Sequence, residues 1–146
     1  MLNKINHFIA TGLYSGHLPA APGTWGSLLM VLLLFFFPVL NNIYLLSALS
    51  IGGIAVANYE EQQTGIKDDS KIVIDEMAGQ LLTFYSLPTT VPVLVGGFVL
   101  FRIFGITKPW LIDKVQNLPS GWGVMLDDIL AGLTSLIILK IILLLI

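Results

Sequence analysis

Four acidic residues form two adjacent pairs inside apolar stretches of this 146-residue chain, Asp75-Glu76 and Asp127-Asp128. An ionised side chain at membrane depth costs about 2.5–3.5 kcal/mol on insertion scales, so such residues usually serve a function. Four carboxylates in one pocket would repel one another unless a cation lay between them. Hard oxygen ligands, in a chain without cysteine and with two histidines, favour Mg²⁺ over zinc.

A simpler explanation is that each acidic pair stabilises the positive end of a helix dipole. That explanation suffices for one pair at the start of one helix. Two pairs, each near a glycine (Gly79 and Gly132), favour a metal site instead.

Basic residues that could bind an anion follow a separate apolar run. Arg102 lies near its end, and Lys108 comes six residues later, before Pro109-Trp110. The alternative is that these cations extend from a membrane boundary towards water, where tryptophans act as anchors. In the stretch Pro22-Gly23-Thr24-Trp25-Gly26-Ser27, Thr24 is the predicted helix N-cap, and free backbone N–H groups there could receive a phosphate.

The overall composition is that of a membrane protein. Apolar residues make up 55% of the chain and charged residues 11%, against roughly 25% charged in an ordinary soluble domain. Mean hydropathy is +0.88, which is high for a soluble protein.

The composition also excludes two classes of function. The net charge of −2 argues against nucleic-acid binding, and the absence of cysteine excludes disulfides and thiolate chemistry. The length predicts a single domain, residues 1–146.

Five apolar runs predict an all-α helical membrane bundle with about five membrane-embedded helices. They are about Ser27–Leu40, Ile43–Asn58, Ile72–Leu87, Val91–Ile106 and Val124–Ile146. A bilayer core needs about 20 apolar helical residues, so only the last run is long enough by itself.

Residues 1–17 predict a short amphipathic helix at the membrane interface. Small residues, among them Gly52, Gly53, Gly79, Gly97 and Gly132, would let helices approach closely.

The distribution of basic residues predicts the orientation of this bundle. Six of the seven lysines and arginines fall on one side of the predicted helices, and the exception is Lys140. The positive-inside rule makes that side cytoplasmic. The nine acidic residues fall on the same side, so the chemistry is expected there.

Other catalytic classes lack their motifs. Ser15-Gly16-His17 is similar to an element of lipid phosphatases that form a phosphohistidine, but the only other histidine is His7. The chain has no Gly-x-Ser-x-Gly nucleophile elbow and no phosphate-binding loop of the Gly-x-x-x-x-Gly-Lys-Ser/Thr type.

Four blocks in this order resemble the phosphatidylglycerophosphatase A family of bacterial inner-membrane enzymes. They are Gly12-Leu-Tyr-Ser-Gly16…Pro19…Pro22-Gly-Thr-Trp-Gly-Ser27, Asp68…Ile72-Val-Ile-Asp-Glu76…Gly79, Phe101-Arg102…Lys108-Pro109-Trp110, and Gly121…Gly123-Val-Met-Leu-Asp-Asp-Ile129…Ala131-Gly132. Together they span about residues 12–132. As a set they are highly specific, whereas any one alone is weak.

The resemblance implies a Mg²⁺-dependent phosphatase that converts phosphatidylglycerol phosphate to phosphatidylglycerol and inorganic phosphate, working among membrane lipids. The four carboxylates of Asp75, Glu76, Asp127 and Asp128 would place Mg²⁺ against the phosphate and an attacking water. Arg102 and Lys108 would clamp phosphoryl oxygens. Gly23, Thr24 and Ser27 would complete the substrate contacts.

The chain departs from the family pattern at two positions. Gly105 stands where the family usually has an aspartate, with Asp113 as the nearest substitute, and Asp69 stands where proline is common. A catalytically impaired family member is therefore one alternative, and a carboxylate-based ion or proton transporter is another. A transporter should carry polar residues through the midplane to both faces.

Overall fold

The computed structural model describes residues 1–119 and 121–146, and the regular elements in those ranges are all helical. The main helices are α1 (Leu2–Ala10), α2 (Pro22–Phe36), α3 (Ile43–Thr64), α4 (Ile74–Phe84), α5 (Val91–Thr107), α6 (Leu111–Val115) and α7 (Gly121–Leu145). Short 3₁₀ turns form at Ser15–His17 and Pro38–Leu40, and one π-helical turn, Ala48–Gly52, lies inside α3. The predicted all-α class is confirmed.

Helix α4 lies at the centre of the bundle and positions half of the candidate site. Nine of its 11 residues are buried. It packs against α2, α3, α5 and α7. The main apolar core gathers Met30, Leu34, Leu46, Met77, Leu81, Phe84, Val93, Leu94 and Leu139. At 1.5 Å per residue α4 is about 16 Å long, which is too short to cross a bilayer core by itself. The longer helices around it shield it from lipid, as its burial shows.

Two helices among the described residues, α3 and α7, are long and apolar enough to cross a membrane. Only 22% of the apolar window of α3 and 33% of that of α7 is buried inside the protein. A core helix of a soluble protein would be mostly buried, so these exposed apolar faces are those of a membrane protein. The apolar helices α2 and α5 are shorter, at 15 and 17 residues.

All five predicted segments contain a helix, but several boundaries differ. Helix α7 begins at Gly121, three residues before the predicted start, and α4 ends at Phe84, three residues before the predicted end. Asn41 fixes the link between α2 and α3 to the end of α4, because its side-chain amide donates to the carbonyls of Phe84 and Leu87. The short helix α6 was not predicted.

The prediction that small residues let neighbouring helices approach closely is confirmed at several glycines and is wrong at Gly52. A Cβ at Gly97 would overlap the Phe84 ring, and one at Gly53 would overlap Met125. Gly52 has no neighbouring atom within 4 Å of such a Cβ, because it lies on the outer face of the π-helical turn.

Candidate active site

Two glycines set the crossing that brings the acidic pairs together. A Cβ at Gly132 of α7 would overlap the Gly79 carbonyl of α4, and one at Gly79 would overlap the Asp128 carbonyl. Asp75 lies one helical turn before Gly79, and Asp128 lies one turn before Gly132. The absence of two side chains at this crossing therefore lets the two backbones touch and places Asp75 beside Asp128.

Three carboxylates converge at this crossing. Asp75, Asp127 and Asp128 are all buried, and each offers one oxygen within 4.8 Å of the others. Among the described residues, Asp75 Oδ1 and Asp127 Oδ1 have no hydrogen-bond partner, and the same holds for Glu76 Oε2. Buried charges without partners are strongly destabilising, so this arrangement favours a compensating positive charge, either a cation or a bound proton.

The helix dipole accounts for one acidic pair but not for the other. Asp75 and Glu76 occupy the first turn of α4, where a dipole favours negative charge. Asp127 is the seventh residue of α7, almost two turns inside the helix. Because the dipole effect falls off within the first turn, it does not explain the second pair.

Lys108 supplies a positive charge directly to the cluster. Its Nζ lies 2.6 Å from Asp127 Oδ2 and 3.2 Å from Gln116 Oε1, to both of which it donates. Partial burial opposes the charge on Lys108. The hydrogen bond and charge of Asp127 outweigh burial and, with Asp128 and Asp68, raise the pKa of Lys108 above its ordinary value. Lys108 therefore stays protonated at neutral pH.

Arg102 is held on the other side of the cluster by the start of α2. Its Nη1 donates to Ser27 Oγ at 3.4 Å, and Ser27 donates in turn to the Gly23 carbonyl at 2.8 Å. Arg102 Nε is buried and has no partner among the described residues. A Cβ at Gly23 would overlap Glu76 Oε1, so glycine at this position lets the first turn of α2 approach the carboxylate without displacing it.

Two predicted substrate-binding residues, Thr24 and Ser27, do not line the cavity that holds the other predicted site residues. Helix α2 starts at Pro22 with Ala21 as its N-cap, so the prediction that Thr24 caps the helix is wrong. Proline at the first helical position explains the earlier start. The Thr24 N–H donates to the Ala21 carbonyl, and Thr24 does not line the cavity described next. Its contact with a phosphate stays a prediction.

A cavity of about 270 Å³ opens over the carboxylates. Its lining includes Gly23, Asp75, Glu76, Arg102, Lys108, Asp127 and Asp128, together with Ala21, Pro22, Asp68, Asp69, Ser70, Ile72, Gly105 and Val124. Seven predicted site residues thus come from four separate helices and their ends. Asp68 and Asp69 were missed as candidates, although Asp68 belongs to one of the motif blocks quoted above.

Gly105 and Asp113 differ in whether they face the cavity. A Cβ at Gly105 would lie 3.6 Å from Asp128 Oδ1 and 3.9 Å from Arg102 Nη1, so position 105 faces the site. Asp113 is exposed on α6, accepts a hydrogen bond from Gln116 and does not line the cavity. Asp113 therefore does not replace a carboxylate at position 105.

The donor set fits a metal ion. Asp75 and Asp127 each leave one buried oxygen without a partner, and Asp128 adds a third buried carboxylate within reach of the same point. Such a set of oxygens could hold a hard cation, in a cavity that also contains two cationic side chains. Fold and site thus define a helical membrane protein with an acidic pocket that could hold a metal ion.

Comparison with known proteins agrees with this class. Residues 8–143 match the family Phosphatidylglycerophosphatase A. A phosphatidylglycerophosphatase A from Escherichia coli K12 is 37% identical over 135 residues, covering 88% of this chain and 78% of that protein. Its counterpart from Haemophilus influenzae is 33% identical, covering 94% and 88%.

A third relative carries a different name. A Bacteroides thetaiotaomicron protein provisionally named phosphatidylinositol-3-phosphatase is 38% identical, covering 91% of this chain and 90% of that protein. No solved structure gave a significant match. The chain belongs to the phosphatidylglycerophosphatase A family, and it is a phosphatase.

Proposed function

We propose that this chain hydrolyses the phosphate monoester of phosphatidylglycerol phosphate, using Mg²⁺, to give phosphatidylglycerol and inorganic phosphate. The observation that carries the proposal is the convergence of three buried carboxylates, two of them with an unpartnered oxygen, with Lys108 and Arg102 in one cavity. The family match and the names of two relatives support the substrate.

Asp75, Asp127 and Asp128 form the proposed core of the Mg²⁺ site. Glu76 is the proposed fourth carboxylate, through the oxygen that does not face Gly23. When bound, Mg²⁺ would neutralise charge on the phosphate and make water a stronger nucleophile. Lys108 would hold Asp127 in a fixed orientation through its hydrogen bond.

Arg102 is the proposed phosphate clamp. Ser27 holds one of its terminal nitrogens, so the guanidinium is oriented before the substrate arrives. A guanidinium donates two parallel hydrogen bonds to phosphoryl oxygens, which a lysine cannot do. The backbone at Gly23 lines the same cavity and would approach the phosphate from the start of α2.

The proposed chemistry is direct hydrolysis. The water oxygen forms a bond to phosphorus while the bond from phosphorus to the glycerol oxygen breaks. One of the three aspartates accepts the proton from water, and the leaving glycerol oxygen takes up a proton. The products are an alcohol on the lipid and inorganic phosphate.

We further propose a multi-pass protein of the bacterial cytoplasmic membrane with its site on the cytoplasmic face. The distribution of basic residues supports this orientation. The polar cavity lies where α2 and α4 begin and α5 ends, whereas Lys140 is the only charged residue in the last ten residues of α7. A site confined to one end supports hydrolysis rather than transport.

The decisive experiment measures phosphate release from phosphatidylglycerol phosphate and, in parallel, from phosphatidylinositol 3-phosphate in detergent micelles. We expect release from the first substrate with Mg²⁺, none with EDTA, and none from Asp127→Asn. Asp113→Asn is the matched control, since this exposed aspartate lies outside the cavity, and it should retain full activity.

Any different result would reject one part of the proposal: the substrate, the use of Mg²⁺ or catalysis itself. Faster release from phosphatidylinositol 3-phosphate would reassign the substrate. Release in EDTA would remove Mg²⁺ from the mechanism. A purified, folded protein that releases phosphate from neither lipid would be a non-catalytic family member, and ion flux in proteoliposomes would then identify a transporter.

A further inference from the structure

A second cluster of titratable side chains lies outside the phosphatase cavity. His7 of α1 places its Nδ1 2.5 Å from Glu60 Oε1, and its Nε2 lies 2.8 Å from Nε2 of His17. None of these three residues lines the cavity that holds the aspartates. The proposed hydrolysis leaves this cluster without a role.

The fold builds the cluster from three separated parts of the chain. Leu13 and Tyr14 adopt left-handed backbone conformations, with φ of 54° and 66°, and turn the chain back after α1. The 3₁₀ turn that follows carries His17 to the His7 ring, with 4.9 Å between ring centroids. Glu60 comes from α3 and is buried, while His17 is exposed.

Glu60 determines which nitrogen of His7 points outward. The short contact makes Nδ1 the protonated nitrogen, which donates to the carboxylate. Nε2 of neutral His7 then presents a lone pair towards His17. Histidines that bind metals are oriented in this way, with one ring nitrogen donating to a carboxylate and the other free for the ion.

The two Nε2 atoms are spaced almost as two ligands of one ion would be. Zinc–nitrogen bonds of about 2.0–2.1 Å at a tetrahedral angle place two ligand nitrogens about 3.3 Å apart. The observed 2.8 Å is a hydrogen bond, in which His17 Nε2–H donates to His7 Nε2. Metal binding therefore requires His17 to carry its proton on Nδ1 instead, to turn its Nε2 lone pair towards the ion and to shift by about half an ångström, which an exposed side chain can do. Water can complete the coordination on that exposed side.

We propose that His7 and His17 form a binding site for Zn²⁺ or a similar imidazole-preferring transition-metal ion, with Glu60 as the positioning residue. This site is chemically distinct from the aspartate cluster, which suits hard cations. A bound ion links α1 to the segment that leads into α2, and Ala21 to Gly23 of that segment line the phosphatase cavity. The proposal does not depend on the substrate or on activity.

The test is calorimetric titration of Zn²⁺ into the full-length, tag-free protein in detergent with saturating Mg²⁺. We expect one Zn²⁺ site per chain. His17→Ala should weaken it at least about tenfold, because one of two protein ligands is lost. Asp127→Asn should bind Zn²⁺ as the unmodified protein does, since it alters only the aspartate cluster.

Electron paramagnetic resonance with Cu²⁺ as the probe identifies the ligands. The unmodified protein should show hyperfine coupling to two imidazole nitrogens, and His17→Ala should show one. Glu60→Gln keeps a hydrogen-bond acceptor for His7 but removes the charge, and should weaken Zn²⁺ binding about tenfold without changing the nitrogen count.

Two results would overturn the proposal. If the unmodified protein binds no Zn²⁺, the histidines form a hydrogen bond only. If His17→Ala binds Zn²⁺ as tightly as the unmodified protein, or Asp127→Asn loses the site, the ion belongs to the aspartate cluster. Since His17 is exposed, its replacement leaves the packed core intact.

Discussion

Two regions of this molecule bury carboxylates beside basic groups, and they differ in how those carboxylates are partnered. Both oxygens of Glu60 accept hydrogen bonds, one from His7 and one from Asn6. In the aspartate cluster, Asp127 accepts from Lys108 through one oxygen, and its other oxygen has no partner among the described residues. Glu60 is therefore a carboxylate whose partners lie within the fold, whereas the aspartates have the unpartnered oxygens expected of the proposed ligand site.

The physical reason is the cost of burying charge. A buried carboxylate with both oxygens hydrogen-bonded has recovered much of its lost hydration, so it contributes to stability by itself. Asp75 and Asp128 lie together with Asp127, so their charged forms repel one another unless a cation or a proton neutralises them. The aspartate cluster is therefore unfavourable in the free protein, and the proposed metal ion would offset that cost.

The largest expected effect comes from removing one charge of the aspartate cluster. Asp128→Asn should lower phosphatidylglycerol phosphate hydrolysis by about 100- to 1,000-fold, a loss typical of one electrostatic group in an active site. In EDTA the same variant should melt at an equal or higher temperature than the unmodified protein, because repulsion is relieved. Phosphate release and thermal melting in detergent measure the two effects.

Melting temperatures measured with added Mg²⁺ provide a second test of the aspartate cluster. Mg²⁺ should raise the melting temperature of the unmodified protein and of Asp113→Asn, but not that of Asp128→Asn, since ligand binding stabilises only a protein that binds it. An Asp128→Asn protein that melts well below the unmodified protein in EDTA would contradict the proposed repulsion.

The opposite outcome is expected at Glu60. Glu60→Ala should lower the stability by about 1–3 kcal/mol, because His7 and Asn6 lose their acceptor. Phosphatase activity per folded molecule should not change. The measurement is thermal melting together with specific activity at a temperature below the transition.

Gln62→Ala is the matched control for Glu60→Ala, since this exposed neighbour on α3 should leave the melting temperature unchanged. If Glu60→Ala abolished activity at full stability, the contrast between the two regions would be wrong.

The smallest effect is expected at Gly105, where a side chain would enter the site without a clash. Gly105→Asp adds a carboxylate near Asp128 and Arg102. It should lower the Mg²⁺ concentration for half-maximal activity by about threefold, because ligand charge tunes cation affinity. Gly105→Asn, of the same size but uncharged, is the control and should show no such decrease. A large gain in maximal rate would instead mark the natural chain as an impaired enzyme.

The sequence by itself determined the all-helical class and predicted most of the residues that line the candidate site. Apolar runs predict helices because a membrane leaves no water for unpaired backbone groups. Charged residues are so rare in such a chain that Asp75, Arg102, Lys108 and Asp127 could be recognised by type and position alone. The family motifs covered the same positions, and the family assignment is confirmed.

Only the tertiary structure decided which of these residues meet. The crossing of α4 and α7 at Gly79 and Gly132 sets the distance between Asp75 and Asp128, and no local pattern encodes the contact of residues 53 positions apart. The pairing of His7 with His17 and Glu60 was invisible in the sequence, because it requires a left-handed turn and a buried carboxylate from another helix.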